Sequence, residues 1–444
     1  MNDATAHTLE RLRSGALAGA TRLDLAGGLT EFPREVFGLA DSLEVLNLSG
    51  NALTELPADF WRLSRLRILF CSENRFTRLP EVLGKCPQLD MVGFKSNQIV
   101  QVSGAALPPR LRWLILTDNQ IAELPAELGR RPRLQKLMLA GNRLAALPDS
   151  MAACQRLELL RIASNRFEQL PHWLFALPRL SWLAFAGNPI AQSSEEGAVI
   201  AHPVPDIDWA ELELHEVLGQ GASGVVHRAS WTNGATQRAV AVKLFKGHIT
   251  SDGSPLSEMD ACIAAGAHPN LIPVHGRIAG QPEGTPGLVL DLVDAAYRNL
   301  AGPPSLESCT RDVYASGTSF GWQNLLAIAG GLAGALAQLH QRGMLHGDFY
   351  AHNILWDGAH DALLGDFGAA SFFPPEGDQA LALQRVEARA FGCLLEELLE
   401  RCNGAPGPRE REYLAQLQAR CFDPDPHQRP GLAQIAESLR ALPS

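Results

Sequence analysis

The feature that most limits what this chain can fold into is an asparagine that returns on a nearly fixed count. Asn51, Asn74, Asn97, Asn119, Asn142, Asn165 and Asn188 are separated by 23, 23, 22, 23, 23 and 23 residues. They lie in segments of one type: "LEVLNLSGNALTELP", "LRILFCSENRFTRLP", "LRWLILTDNQIAELP", "LQKLMLAGNRLAALP" and "LELLRIASNRFEQLP", with a degenerate copy, "LDMVGFKSNQIVQVS", between them. Such a period marks stacked units, none of which buries its apolar face alone. The L-x-L part of each copy reads as a short strand with its leucines inward. The Asn side chain can satisfy backbone groups at the turn that follows, and the Pro after Leu starts a convex segment. In "LDLAGGLTEFP", Gly28 stands where Asn is expected, as in the atypical first unit that caps a stack.

The pattern resembles leucine-rich repeats over residues 20–190, with residues 1–19 as an N-terminal cap. Variable strand positions, among them Ile68, Phe70, Met91, Trp113, Met138 and Trp182, fall on the concave side as an unusually apolar stripe. Two readings stand: a docking face for a protein substrate or regulator, or a surface that packs in part against a second domain of the same chain. After Asn188 the pattern stops. "PIAQSSEEGAVIAHPVPDID" is rich in Ser, Glu, Gly and Pro and reads as a capping segment followed by a linker over 191–211.

Composition narrows the function. The chain has 444 residues, more than one ordinary domain, and a globular balance of 46% hydrophobic and 19% charged residues. Its formal charge of -10 argues against general nucleic-acid binding, which needs a basic surface. The eight cysteines form no CxxC pair, so neither a zinc site nor a disulfide framework is signalled, and they read as thiols in a reducing compartment. The start, "MNDATAHTLERLRSGALAG", lacks the basic head and apolar run of a signal peptide. The longest apolar stretch, "LLAIAGGLAGALAQLH", is shorter than the roughly 20 residues that a membrane span needs. These features predict a cytoplasmic protein without a membrane span, and the Ala-, Leu- and Arg-rich usage fits a GC-rich bacterial genome.

The second half carries the chemistry. "LGQGASGVV" places Gly219, Gly221 and Gly224 in the GxGxxG spacing. The β-branched "VVHRASW" that follows predicts a loop between two strands, either a plain hairpin turn or a loop whose amides approach phosphate. Lys243 in "RAVAVKLFK" could snorkel from a strand, and Glu258 in "SEMDACIAAGAHPNL" could be a solvated acid in a first helical turn. The two could also form an ion pair that turns the lysine onto phosphates. "GLVLDLV" is a buried strand, "MLHGDFYAHNIL" holds His346, Asp348 and Asn353, and "LLGDFGAAS" holds Asp366, Phe367 and Gly368. His340, His346 and His352 recur every six residues, which suits no single helix face, so a histidine metal site is rejected.

In this order the motifs resemble a protein kinase over residues 212–442. "CFDPDPHQRP" resembles the closing element of tyrosine-kinase-like kinases, and "VEARAFGCLLEELL" the long central helix, with Glu387 where Asp is usual. The expected fold is an α/β leucine-rich-repeat solenoid followed by a two-lobed α+β protein-kinase-like domain. The resemblance implies ATP and magnesium (Mg2+) as cofactors. Gly219, Gly221 and Gly224 would cover the phosphates, with Val226 and Ala241 also in the nucleotide site. Lys243 would bind phosphate and be held by Glu258, while Asp291 and Leu292 at the hinge would read adenine. Asp348 would accept or orient the substrate hydroxyl proton, and Asn353 and Asp366 would hold the metal. His346 and Phe367 would be packing residues.

Three departures stand out. Gly347 replaces the Arg that usually meets a phosphorylated activation loop. Tyr350 replaces the Lys that steadies the transferred phosphate in serine/threonine kinases. If "PPE", Pro374 to Glu376, is the end of the activation segment, that segment is very short, with Ser371 its one phosphorylatable residue and Glu376 expected to pair with Arg429. The sequence therefore predicts a protein kinase, serine/threonine directed, with repeats that recruit substrate or regulator. The alternatives are a nucleotide-binding pseudokinase-like scaffold and a small-molecule kinase.

Overall fold

The computed structural model describes residues 3–404 and 407–442. The chain divides into two compact units. One holds the residues up to Arg161 together with Asn165–Leu177, and the other holds Ile162–Ser164 together with the chain from Pro178 onward.

In the first unit, helix α1 (Asp3–Arg13) precedes seven three-residue strands: β1 (Arg22–Asp24), β2 (Val45–Asn47), β3 (Ile68–Phe70), β4 (Met91–Gly93), β5 (Trp113–Ile115), β6 (Lys136–Met138) and β7 (Leu159–Arg161). Neighbours pair in parallel, and the register sets Leu23, Leu46, Leu69, Val92, Leu114, Leu137 and Leu160 in one row. The repeated asparagine explains the turn. Asn74 is buried, its amide donates to the carbonyls of Leu48 at 2.9 Å and Cys71 at 3.1 Å, and its oxygen accepts from the Leu53 amide at 2.9 Å. Asn97, Asn119 and Asn142 repeat this, so each turn satisfies backbone groups that burial would otherwise leave unpaired. The residue before each asparagine is left-handed, whether Gly50 or Gly141, or Glu73 at φ 54° and Asp118 at φ 56°. On the convex side, short 3-10 turns begin after Pro33, Pro80, Pro125 and Pro148, whose ring presets the backbone for such a start.

The second unit opens with β8 (Trp182–Ala184), α2 (Pro189–Ala201) and β9 (Asp206–Asp208). There follow β10 (Leu212–Gln220), β11 (Gly224–Asn233), β12 (Thr236–Phe245), α3 (Pro255–Ala265), β13 (Val274–Ala279) and β14 (Gly287–Asp291). The sheet order is β10-β11-β12-β14-β13-β9, with β9 parallel to β13 and the rest antiparallel. Ile207, Ala229, Val240, Val242 and Val289 form its core. A helical part follows, with α4 (Trp322–Gln341), α5 (Asp378–Glu400), α6 (Pro408–Cys421) and α7 (Leu432–Arg440). The architecture is thus a repeat solenoid followed by a sheet lobe and a helical lobe. No helix of the described residues is long and apolar enough to cross a membrane. All eight cysteines are free thiols.

Within the stretch expected as a linker, 191–211, the chain is helical to Ala201 and then supplies β9. Pro189 sits at the first helical position, where its missing N–H costs nothing, and Ile207 is an apolar residue that the sheet core buries. Of the Ser and Glu content that suggested a linker, Ser193 and Glu196 are exposed, while Ser194 and Glu195 are half-buried.

Candidate active site

In the second unit a cleft of about 790 Å³ is lined by Gly219, Gly221, Gly224, Val226, Ala241, Lys243, Glu258, Asp291, Leu292 and Asp366, among others. Each residue reaches it for a local reason. The β10–β11 pair is an antiparallel hairpin, so the glycine loop is both a hairpin turn and the edge of the cleft. Its glycines differ. A side chain on Gly219 or Gly221 would meet nothing within 4 Å, which leaves that backbone open to a ligand. A Cβ on Gly224 would stand 2.4 Å from the Leu244 carbonyl, so this glycine serves the close approach of β11 to β12.

Lys243 lies in β12 between Val226 of β11 and Leu288 of β14. Helix α3 starts at Ser254, whose hydroxyl accepts from the Leu256 amide at 3.2 Å, and Pro255 occupies its first turn. That start puts Glu258 in the first turn on the buried face, where it forms an ion pair with Lys243. Burial draws the Lys243 ammonium down, but the Glu258 carboxylate, together with Cys262 and Asp366, reverses this and leaves it above the usual lysine value. Burial raises Glu258, with Lys243 opposing and the Asp366 charge adding to the rise. The snorkelling lysine and the solvated first-turn acid are both ruled out by this pair, whose side chains are 16% and 1% exposed.

Strands Ile354–Trp356 and Ala362–Leu364 form a hairpin that carries Asn353 beside Gly365 and Asp366, and the Gly365 amide donates to the Asn353 carbonyl at 3.0 Å. The Asn353 amide donates to the Asp348 carboxylate at 2.8 Å and to its carbonyl at 2.9 Å. Asp366, left-handed at φ 52°, is exposed and accepts from the Gly368 amide at 3.1 Å. The structure thus brings Asp348 and Asn353 into contact, although neither is among the residues that line the cleft.

Three histidines have three different partners. His346 donates through Nε2 to the Gly365 carbonyl at 2.8 Å and lies 5.1 Å, ring to ring, from Phe367. His340 bonds Glu387 at 2.8 Å, and His352 bonds Asp312 at 2.7 Å. Glu387, buried on α5, also accepts the Gly347 amide at 2.8 Å and the His346 amide at 3.3 Å. Burial would raise its carboxyl, but His340 and these amides hold it below the usual carboxylate range. At the hinge, Asp291 binds Arg238 at 2.7 Å and His275 at 2.5 Å, and its amide donates to the Pro273 carbonyl at 3.0 Å.

One expected pair is not formed. Arg429 donates to the carbonyls of Asp423, Arg385 and Pro178, while Glu376 is exposed. The segment from Gly368 to α5 is too short to return a carboxylate to Arg429. Instead it pairs Ser371 and Phe372 with Leu345 and Met344 and then enters α5 at Asp378. Burial, with Arg389 beside it, pulls the Arg429 guanidinium down to about 10. Asp312, which fixes His352, was not singled out from the sequence. It lies 40 residues away with no motif around it.

Residues 212–387 match the protein tyrosine and serine/threonine kinase family, and residues 19–76 and 132–190 match leucine-rich repeats. A probable serine/threonine-protein kinase of Arabidopsis thaliana is 24% identical over 270 residues, 52% of this chain and 36% of that protein. The nodulation receptor kinase of Pisum sativum is 29% identical over 188 residues, 40% of this chain and 18% of that protein. The serine/threonine-protein kinase PknJ of Mycobacterium bovis is 30% identical over 217 residues, 43% of this chain and 34% of that protein. The chain therefore spans about a third or less of the length of these relatives. The chain thus carries a match to leucine-rich repeats and a match to a protein kinase domain.

Proposed function

We propose that this chain is an ATP- and magnesium-dependent kinase of protein hydroxyl groups, serine and threonine first among them. The leucine-rich repeats would recruit a substrate or regulator on their concave face. The observation that carries the reading is the Lys243–Glu258 ion pair in the same cleft as the Asp366 carboxylate. Phosphoryl transfer is mostly positioning and charge neutralisation, and a kinase needs this lysine–glutamate pair in place. The donor set suits the cofactors. Asn353 and Asp366 offer hard oxygen ligands of the type magnesium takes, and Gly219 and Gly221 leave their backbone clear for phosphate. When bound, ATP supplies the phosphoryl group and magnesium neutralises its charge. Lys243, held charged by Glu258, binds the α and β phosphates. Asp348, oriented by the Asn353 amide, accepts the proton of the substrate hydroxyl. Because the Asp291 amide is already bonded to Pro273, reading of adenine falls mainly to the backbone of Leu292. Free thiols at all eight cysteines support a cytoplasmic site of action.

The test is transfer of label from γ-labelled ATP with magnesium to the chain itself or to a basic protein acceptor, wild type beside Asp348→Asn. Label that is lost in the variant supports the kinase. Nucleotide binding without transfer would move the function to a scaffold.

A further inference from the structure

The last repeat stands in the same compact unit as the candidate active site, and it meets that site at several points. The Trp182 ring lies flat on Tyr350, with centroids 4.2 Å apart and planes within 8°. Its indole N–H donates to the Phe349 carbonyl at 3.0 Å. Phe349 and Tyr350 are the two residues after Asp348. On the other side, the amides of Phe185 and Ala186 donate to the Ser371 hydroxyl at 2.8 and 3.2 Å. Ser371 is 0% exposed. A Cβ on Gly347, itself at φ 74°, would meet the carbonyls of Ala369 at 2.3 Å and Leu183 at 2.8 Å. Below, Arg389 donates to the Ser181 hydroxyl and Arg429 to the Pro178 carbonyl, both at 2.7 Å. Helix α2, which continues the repeat, packs along α3, with Glu195 beside Ser257, next to Glu258.

These contacts leave no room for either half of a phosphate switch. The Ser371 oxygen already accepts two amides inside the protein, so an added phosphate would have to break both and find room where there is none. An arginine at 347, which would receive such a phosphate, is blocked by the carbonyls of the last repeat and of the activation segment. The alignment of the Asp348 loop with the Asp366 segment still has to be set, because a small displacement of a catalytic group costs rate steeply. The last repeat bonds both segments, through Trp182 to Phe349 and through the Phe185 and Ala186 amides to Ser371.

From this geometry we infer that Trp182 is a positioning residue for phosphoryl transfer. The last repeat holds the Asp348 loop and the activation segment in working alignment as a permanent brace, in place of a phosphorylated activation loop. The inference rests on the kinase reading above. Trp182 acts through Phe349 and Tyr350 and touches no substrate. Ser371 is a structural acceptor and takes no phosphate.

The experiment compares full-length wild type with Trp182→Ala, Trp182→Phe and Ser371→Asp. Transfer is read as kcat and as KM for ATP, and backbone hydrogen exchange is read over the whole chain. Trp182→Ala is expected to lower kcat by about tenfold or more with KM for ATP unchanged. It should speed exchange in 346–353 and 366–373 but not in the β10–β12 sheet. Trp182→Phe keeps the stack and should recover most of the rate, and Ser371→Asp should lower transfer. Wild-type kcat in Trp182→Ala, exchange quickened throughout the chain, or faster transfer in Ser371→Asp would each overturn the brace. A wild type that transfers no label sinks the kinase reading and with it the catalytic role of Trp182. In that case, exchange quickened only around the two segments would show that the brace exists without catalysis.

Discussion

The Glu387 carboxylate accepts the Gly347 amide at 2.8 Å, so the loop that carries Asp348 hangs from a buried charge on α5. The same carboxylate binds His340 and the His346 amide. A glutamine keeps one acceptor oxygen but turns an amide N–H₂ towards a donor. Glu387→Gln should therefore cost about 1–3 kcal/mol of stability, the range for leaving a buried hydrogen-bonding group without its partner. Label transfer should fall even where the protein is still folded. A variant with unchanged melting temperature and rate would remove Glu387 from this role.

Lys243 and Glu258 form a second buried pair, and each should be costly to remove alone. Lys243→Met leaves the glutamate without its cation, and Glu258→Gln removes the charge that keeps the lysine in place. The double variant should be more stable than the sum of the singles implies, with a coupling of about 0.5–3 kcal/mol in urea unfolding. Transfer should be lost in all variants that lack Lys243. Additive stabilities would mean that the two side chains do not depend on each other.

Glu397 gives a pH signature. Burial pushes its carboxyl up to about 7, against Arg311 and with Asp312 adding to the rise. A carboxyl raised in the folded state binds a proton that the unfolded chain has already released. Its contribution is complete below the unfolded value near 4.5 and is lost as pH rises through about 7. The melting temperature should fall between about pH 4.5 and 7, and Glu397→Gln should flatten that slope. A slope that survives the substitution belongs to another group.

Glu73 is left-handed at φ 54°, where a side chain is strained and glycine is not. The corresponding residues of two other repeats are Gly50 and Gly141, both left-handed. Glu73→Gly should therefore stabilise the solenoid by about 1 kcal/mol, read as a higher urea midpoint at unchanged slope. A lower midpoint would mean that the entropy glycine adds to the unfolded chain exceeds the strain it removes.

What the sequence makes legible follows from how local the physics is. Asn74 satisfies carbonyls and an amide of its own and the adjoining repeat, so the period alone announces the turn. The proposed phosphoryl-transfer chemistry would confine Lys243, Asp348, Asn353 and Asp366 to particular residue types in a set order, and that order is visible in the sequence. Trp182 is a different case. It reads as one more apolar residue on the concave stripe, yet it bonds Phe349, 167 residues away, and nothing in either segment marks the other. Ser371 likewise reads as an available hydroxyl until the Phe185 and Ala186 amides that occupy it are seen. The missing Arg at 347 is visible as a departure, but its cause, two carbonyls converging on the place a Cβ would take, is not.

Strand β9 lies parallel to β13 and closes that side of the sheet, with Ile207 in its core. A fragment begun at residue 212, where the family resemblance starts, would bare the row of amides and carbonyls along β13. An unpaired edge of that kind is a template for strand addition between molecules. A catalytic fragment cut there should aggregate for reasons unrelated to catalysis. A piece that keeps this edge paired should start no later than Asp206, so a truncation series judged by activity alone would mistake loss of solubility for loss of regulation.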